Sequence, residues 1–161
     1  MKIALYPGSF DPFTIAHKEI VLNSLTIFDR VVVGVGCNIS KSGLLTPQSR
    51  EQMIKEVFKN DERVEVISYN TLTTNICKEL GIKHIVRGVR NFSDFENENR
   101  IAEINTILSP DIITIYITTS SKYSSISSSV VKELLRFDAD ISEFLPEGVS
   151  INKEGEVTFN I

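Results

Sequence analysis

The residues best able to do chemistry fall in four short runs of the 161-residue chain, and all four suit anions. The first is Gly8-Ser9-Phe10-Asp11-Pro12-Phe13-Thr14-Ile15-Ala16-His17. Gly8 permits a tight turn, and Ser9 offers a hydroxyl and an N–H to a phosphate. Thr14 and His17 open a helix, where unpaired N–H groups attract negative charge. The second run, Asn38-Ile39-Ser40-Lys41-Ser42, carries Lys41, a point cation on a flexible stem. The third, Arg87-Gly88-Val89-Arg90, sets two guanidiniums around a glycine at the end of an apolar strand, a costly arrangement unless they meet anions. The fourth, Tyr123 to Ser129, places Ser127-Ser128-Ser129 before a helix, a second cradle of hydroxyl and N–H groups. Each run has an ordinary reading alone: a threonine cap, a surface lysine, surface ion pairs, a serine cap. Together, with no general-base dyad and with His84 inside a strand as a structural residue, they suit transfer at phosphorus to an acceptor that is already ionised. Positioning and charge then supply the catalysis.

The elements that must position these runs alternate along the chain. Ile3 to Tyr6 is a short β-type run, and His17 to Phe28 has helical spacing of Ile20, Val21, Leu25 and Phe28. Arg30 to Gly36 is a valine-rich buried strand. Thr46-Pro47 opens a helix with a hydroxyl cap and proline in its first turn, and Met53, Ile54, Val57 and Phe58 form the apolar face. Val64 to Ser68 is a strand, and Leu72 to Leu80 a helix stopped by Gly81. His84 to Arg87 is the fourth strand, Asp94 to Leu108 a polar helix, Ile112 to Thr118 the fifth strand, and Ser127 to Phe137 a helix. This order predicts an α/β fold, a Rossmann-like, doubly wound, five-stranded parallel sheet with helices on both faces, in one domain spanning 1–161. Ligands of such sheets sit at the carboxyl ends of the strands near the switch in strand order, where all four runs fall. Residues 150–161 are atypical, and Glu156 to Ile161 alternates like an extra strand at an edge.

The first run resembles the signature of nucleotidyltransferases with an H/T-x-G-H motif, and Tyr6-Pro7-Gly8-Ser9-Phe10-Asp11-Pro12-Phe13-Thr14 is close to the bacterial phosphopantetheine adenylyltransferase version. The likeness covers about residues 1–149. It includes Asn38–Lys41, the loop Leu72-Thr73-Thr74-Asn75, Arg87–Arg90, Asp94-Phe95-Glu96-Asn97-Glu98 and Ile126–Ser129. One departure is Ala16, where the family has glycine; its methyl is expected to displace the nucleotide slightly. The resemblance implies transfer of AMP from ATP to 4′-phosphopantetheine, with Mg²⁺ carried by ATP rather than caged by the protein. It implies that His17, Lys41 and Arg90 act in catalysis, and that Ser9, Lys41, Thr73 and Arg87 hold phosphopantetheine. ATP would meet Ser9, Phe10, Thr14, His17, Gly88, Val89, Arg90 and Glu98, together with Tyr123, Ser124, Ser125, Ile126, Ser127, Ser128 and Ser129. Phe95 is expected in the core. Coenzyme A as a feedback inhibitor and a homohexamer are further implications.

Composition narrows the partners. A formal net charge of −4 argues against a broad nucleic-acid surface but leaves a local anion site open. Cys37 and Cys77 lack metal-ligand spacing and read as two buried free thiols of a reducing, cytoplasmic compartment. Neither a signal peptide nor an apolar run long enough to span a membrane is expected. The competing readings are a cytidylyltransferase, a nicotinamide-mononucleotide adenylyltransferase, or a non-catalytic nucleotide-binding regulator on the same fold.

Overall fold

A computed structural model describes residues 1–37 and 43–160. Five strands form one parallel sheet: β1 (Ile3–Gly8), β2 (Arg30–Gly36), β3 (Val64–Tyr69), β4 (His84–Val89) and β5 (Ile113–Thr118), in the order β3-β2-β1-β4-β5. The chain winds outward from β1 to β3 and then returns to start again at β4. The carboxyl ends of β1 and β4 therefore flank the switch point, where the helices that follow diverge to open a crevice.

The connecting helices are α1 (Ile15–Ser24), α2 (Pro47–Val57), α3 (Thr73–Leu80), α4 (Phe92–Leu108) and α5 (Ser128–Arg136). The larger core lies on one face of the sheet. There Val31, Val33 and Val35 of β2 meet Ile20 and Val21 of α1, Met53 and Ile54 of α2, and Val131 and Leu135 of α5. A smaller core of Leu5, Val32, Ile85, Cys77, Ile82 and Ile112 lies on the other face, under α3. The doubly wound α/β architecture is as the alternation predicts.

The boundaries differ in ways that matter for the site. β1 and β4 run on to Gly8 and Val89, because parallel pairing continues through Pro7↔Gly34 and Gly8↔Val35, and through Gly88↔Ile117 and Val89↔Thr118. Helix α1 starts two residues before the predicted His17 and ends at Ser24 rather than Phe28. Its Thr14 is a reciprocal cap: the Thr14 hydroxyl accepts the His17 N–H while the His17 ring accepts the Thr14 N–H. Helix α4 starts at Phe92, not Asp94, because the Asn91 side chain accepts the Asp94 N–H. Gly81 ends α3 at φ 67, as its position predicts.

Three expectations are corrected. Val157–Phe159 (β7) does not extend the main sheet; it pairs antiparallel with Val149–Ile151 (β6) in a separate ribbon, whose apolar side packs on the larger core. Phe95 is 38% exposed and rests edge-on against Tyr116, because α4 leans on the sheet only lightly. Cys77 is buried, whereas Cys37 is only partly so; both thiols are free. Among the described residues, no helix is long and apolar enough to cross a membrane.

Candidate active site

A cavity of about 370 Å³ opens at the switch point, walled by the ends of β1 and β4 and the starts of α1, α4 and α5. Its floor is the first loop. Gly8 has no room for a side chain, since a Cβ there would stand 2.7 Å from the Phe10 ring, which folds back over it. Phe10 itself adopts a left-handed backbone (φ 49) and is buried. Its ring meets Tyr6, Phe13 and His17, with centroids 5.2, 5.4 and 5.2 Å away. The imidazole of His17 is thus set in an aromatic wall with one side toward the cavity.

The protonation of His17 follows from its contacts. The Thr14 N–H can only donate, and it reaches His17 Nδ1 at 3.0 Å, so Nδ1 accepts and Nε2 carries the proton. Burial first, and the nearby Arg90 cation second, hold the pKa down at about 3. His17 is therefore a neutral donor at physiological pH. Burial likewise pushes the Tyr6 phenol up and keeps it protonated.

The two arginines are aimed rather than free. Arg87 donates from Nε to Glu98 and from Nη1 to the Pro7 carbonyl at 3.0 Å. Arg90 donates from Nε to Asp94 at 2.6 Å and from Nη1 to the Ile126 carbonyl at 3.3 Å. Each guanidinium is thus anchored on a carboxylate of α4 while lining the cavity. Gly88 between them lets Ile20 come close: a Cβ there would stand 3.1 Å from Ile20 Cγ1.

Across the cavity, α5 presents its first turn. The Ser127 hydroxyl accepts the Val130 N–H at 3.2 Å, and the Ser128 hydroxyl donates to the Pro12 carbonyl at 2.8 Å. The first internal helical bond runs from Val131 N–H to Ser127. The N–H groups of Ser128 and Ser129 precede it, where a helix attracts anions.

Of the residues named from sequence, Ser9, Phe10, His17, Arg87, Gly88, Arg90, Glu98, Ile126, Ser127, Ser128 and Ser129 come together around the cavity. Thr14 is fully buried behind His17 and acts on it through the cap. Val89 is buried with its carbonyl taken by the Thr119 N–H. Tyr123, Ser124 and Ser125 lie in the loop before α5 and outside the cavity wall. Thr73 also lies off the wall, its hydroxyl 3.0 Å from that of Tyr69. Lys41, and its neighbours Asn38 and Ser40, lie outside the described residues. Ala16, in the family's glycine position, is buried against the cavity.

The sequence reading missed Tyr6, Ile20, Asn97 and Thr119 on the wall, and two buried charges behind it. Arg50 of α2 donates to the Ser9 carbonyl at 2.7 Å. Asp11 accepts from the N–H groups of Leu44 and Leu45 and from Lys132. Charged residues sharing a helix or loop with apolar ones signal little in sequence, because their partners are 33 to 121 positions away.

The cytidylyltransferase-like family model matches residues 5–134. A phosphopantetheine adenylyltransferase of Bacteroides thetaiotaomicron is 41% identical over 152 residues, covering 94% of this chain and all of the relative. One of Lachnoclostridium phytofermentans is 42% identical over 149 residues, covering 92% and 91%. Among solved structures, a bifunctional NMN adenylyltransferase/ADP ribose pyrophosphatase of Francisella tularensis shares the fold at TM-score 0.70 and 12% identity, over 91% of this chain and 45% of that one. A putative nicotinate-nucleotide adenylyltransferase of Vibrio parahaemolyticus does so at 0.65 and 18%, over 91% and 88%. The solved structures speak for the fold, and the full-length relatives at over 40% identity decide among its branches: the chain belongs to the phosphopantetheine adenylyltransferase family.

Proposed function

We propose that this protein transfers AMP from ATP to 4′-phosphopantetheine, releasing pyrophosphate and forming dephospho-coenzyme A. The observation that carries this reading is the pairing, across one cavity, of a neutral histidine donor with two carboxylate-anchored arginines and the open first turn of α5. A phosphate monoester is largely ionised at neutral pH and attacks phosphorus without a base. The acceptor phosphate would take the fork of Arg87, with Ser9 and Thr73 along its arm. Arg90, Gly88, Val89 and Glu98 would face the ATP side, with the loop from Tyr123 through Ser125 and the start of α5. Lys41 would join the transferring phosphates. His17 Nε2–H would donate to the α-phosphoryl group as charge builds on its oxygens, and the cap from Thr14 fixes that direction.

Among the described residues, no cluster of three or more His, Cys, Asp or Glu converges as a protein-held metal would need. Asp94 and Glu98, the carboxylates on the wall, are each engaged by an arginine. Mg²⁺ would enter with the polyphosphate of ATP, as part of the substrate. Coenzyme A, which shares the pantetheine arm, would compete for the acceptor side. We also infer a homo-oligomer, a hexamer by family, working in the cytoplasm. Its support is α4, which buries Ala102 alone and leaves Ile101, Ile104, Ile107 and Leu108 exposed.

The test is pyrophosphate release from MgATP with phosphopantetheine, nicotinamide mononucleotide or glycerol phosphate, and from MgCTP with the same acceptors. Turnover should require ATP and phosphopantetheine. Equal or greater turnover with another pair would replace this assignment.

A further inference from the structure

The β6–β7 ribbon has no part in the cavity, yet it touches the backbone that holds the cavity's floor. Gly155, in the turn between its strands, sits at φ 80, and a Cβ there would stand 2.3 Å from the Leu44 carbonyl oxygen and 3.6 Å from Leu45 Cδ2. Val157 and Phe159 pack on the same apolar cluster as Leu44 and the buried Leu45. Leu44 and Leu45 in turn give their N–H groups to the Asp11 carboxylate at 3.0 and 2.8 Å. Gly43 closes in beside them, for a Cβ at that position would stand 2.9 Å from Asp11 Oδ2. Asp11 is 7% exposed, and among the described residues it also pairs with Lys132 of α5 at 3.3 Å. It lies between Phe10, on the cavity wall, and Pro12, whose carbonyl takes the Ser128 hydroxyl.

We propose that the β6–β7 ribbon is a positioning element of the active site: its Gly155 turn clamps Leu44-Leu45, which fix Asp11 and with it the loop that bears Ser9 and Phe10 and leads into His17 at the start of α1. The physical reason is the chain of short-range contacts. A carboxylate that is almost fully buried must keep its donors, since losing them leaves a charge without water or partner. Asp11 therefore follows any movement of Leu44-Leu45, and the ribbon sets where those two residues lie. The loop between Gly8 and His17 carries the groups that must meet the reacting phosphorus. A displacement of about 1 Å at such groups can lower turnover about a hundredfold.

The proposal rests on the adenylyltransferase reading for its kinetic readout, so it is tested with a second readout independent of activity. Gly155→Ala adds a methyl that meets the Leu44 carbonyl. The expected results are a kcat reduced about tenfold or more, measured well below the variant's melting temperature, and an ATP Kd within about threefold. Hydrogen exchange at the Leu44 and Leu45 amides should accelerate, while amides inside α1 keep their protection. In an Asp11→Asn background, Gly155→Ala should add little further loss, because the two changes break one path. Lys153→Met, which removes only the exposed pair with Asp138, should leave kcat and exchange unchanged. If Gly155→Ala does not fold, Val157→Ala loosens the same ribbon more gently, with the same pattern expected. A lowered melting temperature with unchanged kcat and unchanged Leu44 and Leu45 exchange would overturn the brace. So would losses that multiply in the double variant. If the wild type releases no pyrophosphate at all, the activity assignment fails, and the exchange result alone still decides the brace.

Discussion

Burial and the Arg90 cation hold His17 uncharged at neutral pH, which can be measured in stability and in turnover. Its folded pKa, about 3, lies below the unfolded value of 6.5, so protonation favours the unfolded chain. The stability it contributes is complete above about pH 6.5 and is lost as pH falls toward 3, at up to about 1.4 kcal/mol per unit. His17→Asn keeps an oxygen for the Thr14 N–H and cannot titrate, so its melting temperature should fall less steeply from pH 6.5 to 4 than that of wild type. Equal slopes would show that the imidazole is not held neutral. In turnover, no acid limb should come from His17. A limb near about pH 6 is expected instead from the acceptor's own phosphate, and it should persist in His17→Ala while kcat drops at least about a hundredfold. Near-normal turnover in that variant would remove His17 from the mechanism. The roles proposed for the two arginines can be told apart by substrate. Arg87→Lys loses the planar fork, and the KM for phosphopantetheine should rise about tenfold or more, near 1.4 kcal/mol, with the ATP value moving far less. The reverse result would exchange the roles given to Arg87 and Arg90. Ala16→Gly should tighten ATP by up to about tenfold if the buried methyl crowds the nucleotide, and calorimetry on both proteins decides it.

At the scale of elements, the readable features were those with a local cause. Thr46 accepts the Ser49 N–H ahead of Pro47, and Gly81 closes α3 in a left-handed turn, because both depend only on neighbours in sequence. Gly81→Ala should accordingly cost about 1 kcal/mol of stability and lower the melting temperature by roughly 2–4 °C. Turnover should not change, since nothing lies within 4 Å of the added methyl. A kcat loss there would mean that α3 couples to the site by a path not visible in its contacts. The true start of α1 was obscured because His17, an unusual partner in a reciprocal cap, looks in sequence like a ligand alone. It is the reciprocal partner of the Thr14 cap, and that cap sets its ring on the cavity wall. The true ends of β1 and β4 are hidden in the sequence because Pro7-Gly8 and Gly88 look like stops. In a parallel sheet, neighbouring strands supply the pairing that carries each chain past them. The arginine anchors were half legible: Arg90 and Asp94 are four apart around a helix start, whereas the Pro7 carbonyl that holds Arg87 is 80 positions away.

For the molecule as a whole, the alternation of strands and helices was enough to expect the doubly wound sheet and to place the cavity at its switch point. It was not enough to place the tail, because β6 and β7 are three residues each and their alternation fits a sheet edge as well as a separate ribbon. Nor did it predict the exposure of α4. An apolar residue reads the same in sequence whether it meets its own chain or another copy, and α4 finds little of its own chain to meet. Ile101, Ile104 and Leu108 recur at helical spacing along one side, with Ile107 beside them 80% exposed and Ile113 at the β5 edge 57% exposed. Covering this exposed apolar area between copies, as proposed, would stabilise by about 25 cal/mol per Å², which favours association of the 18.1 kDa chain. Light scattering of the wild type should therefore give a mass several times that of the chain. Ile104→Glu places a charge within that stripe without touching the cavity, so it should shift the protein toward the monomer with its circular dichroism retained. A wild type that runs as a monomer at every concentration, or an Ile104→Glu variant that stays fully assembled, would show that the α4 stripe is not where the copies meet.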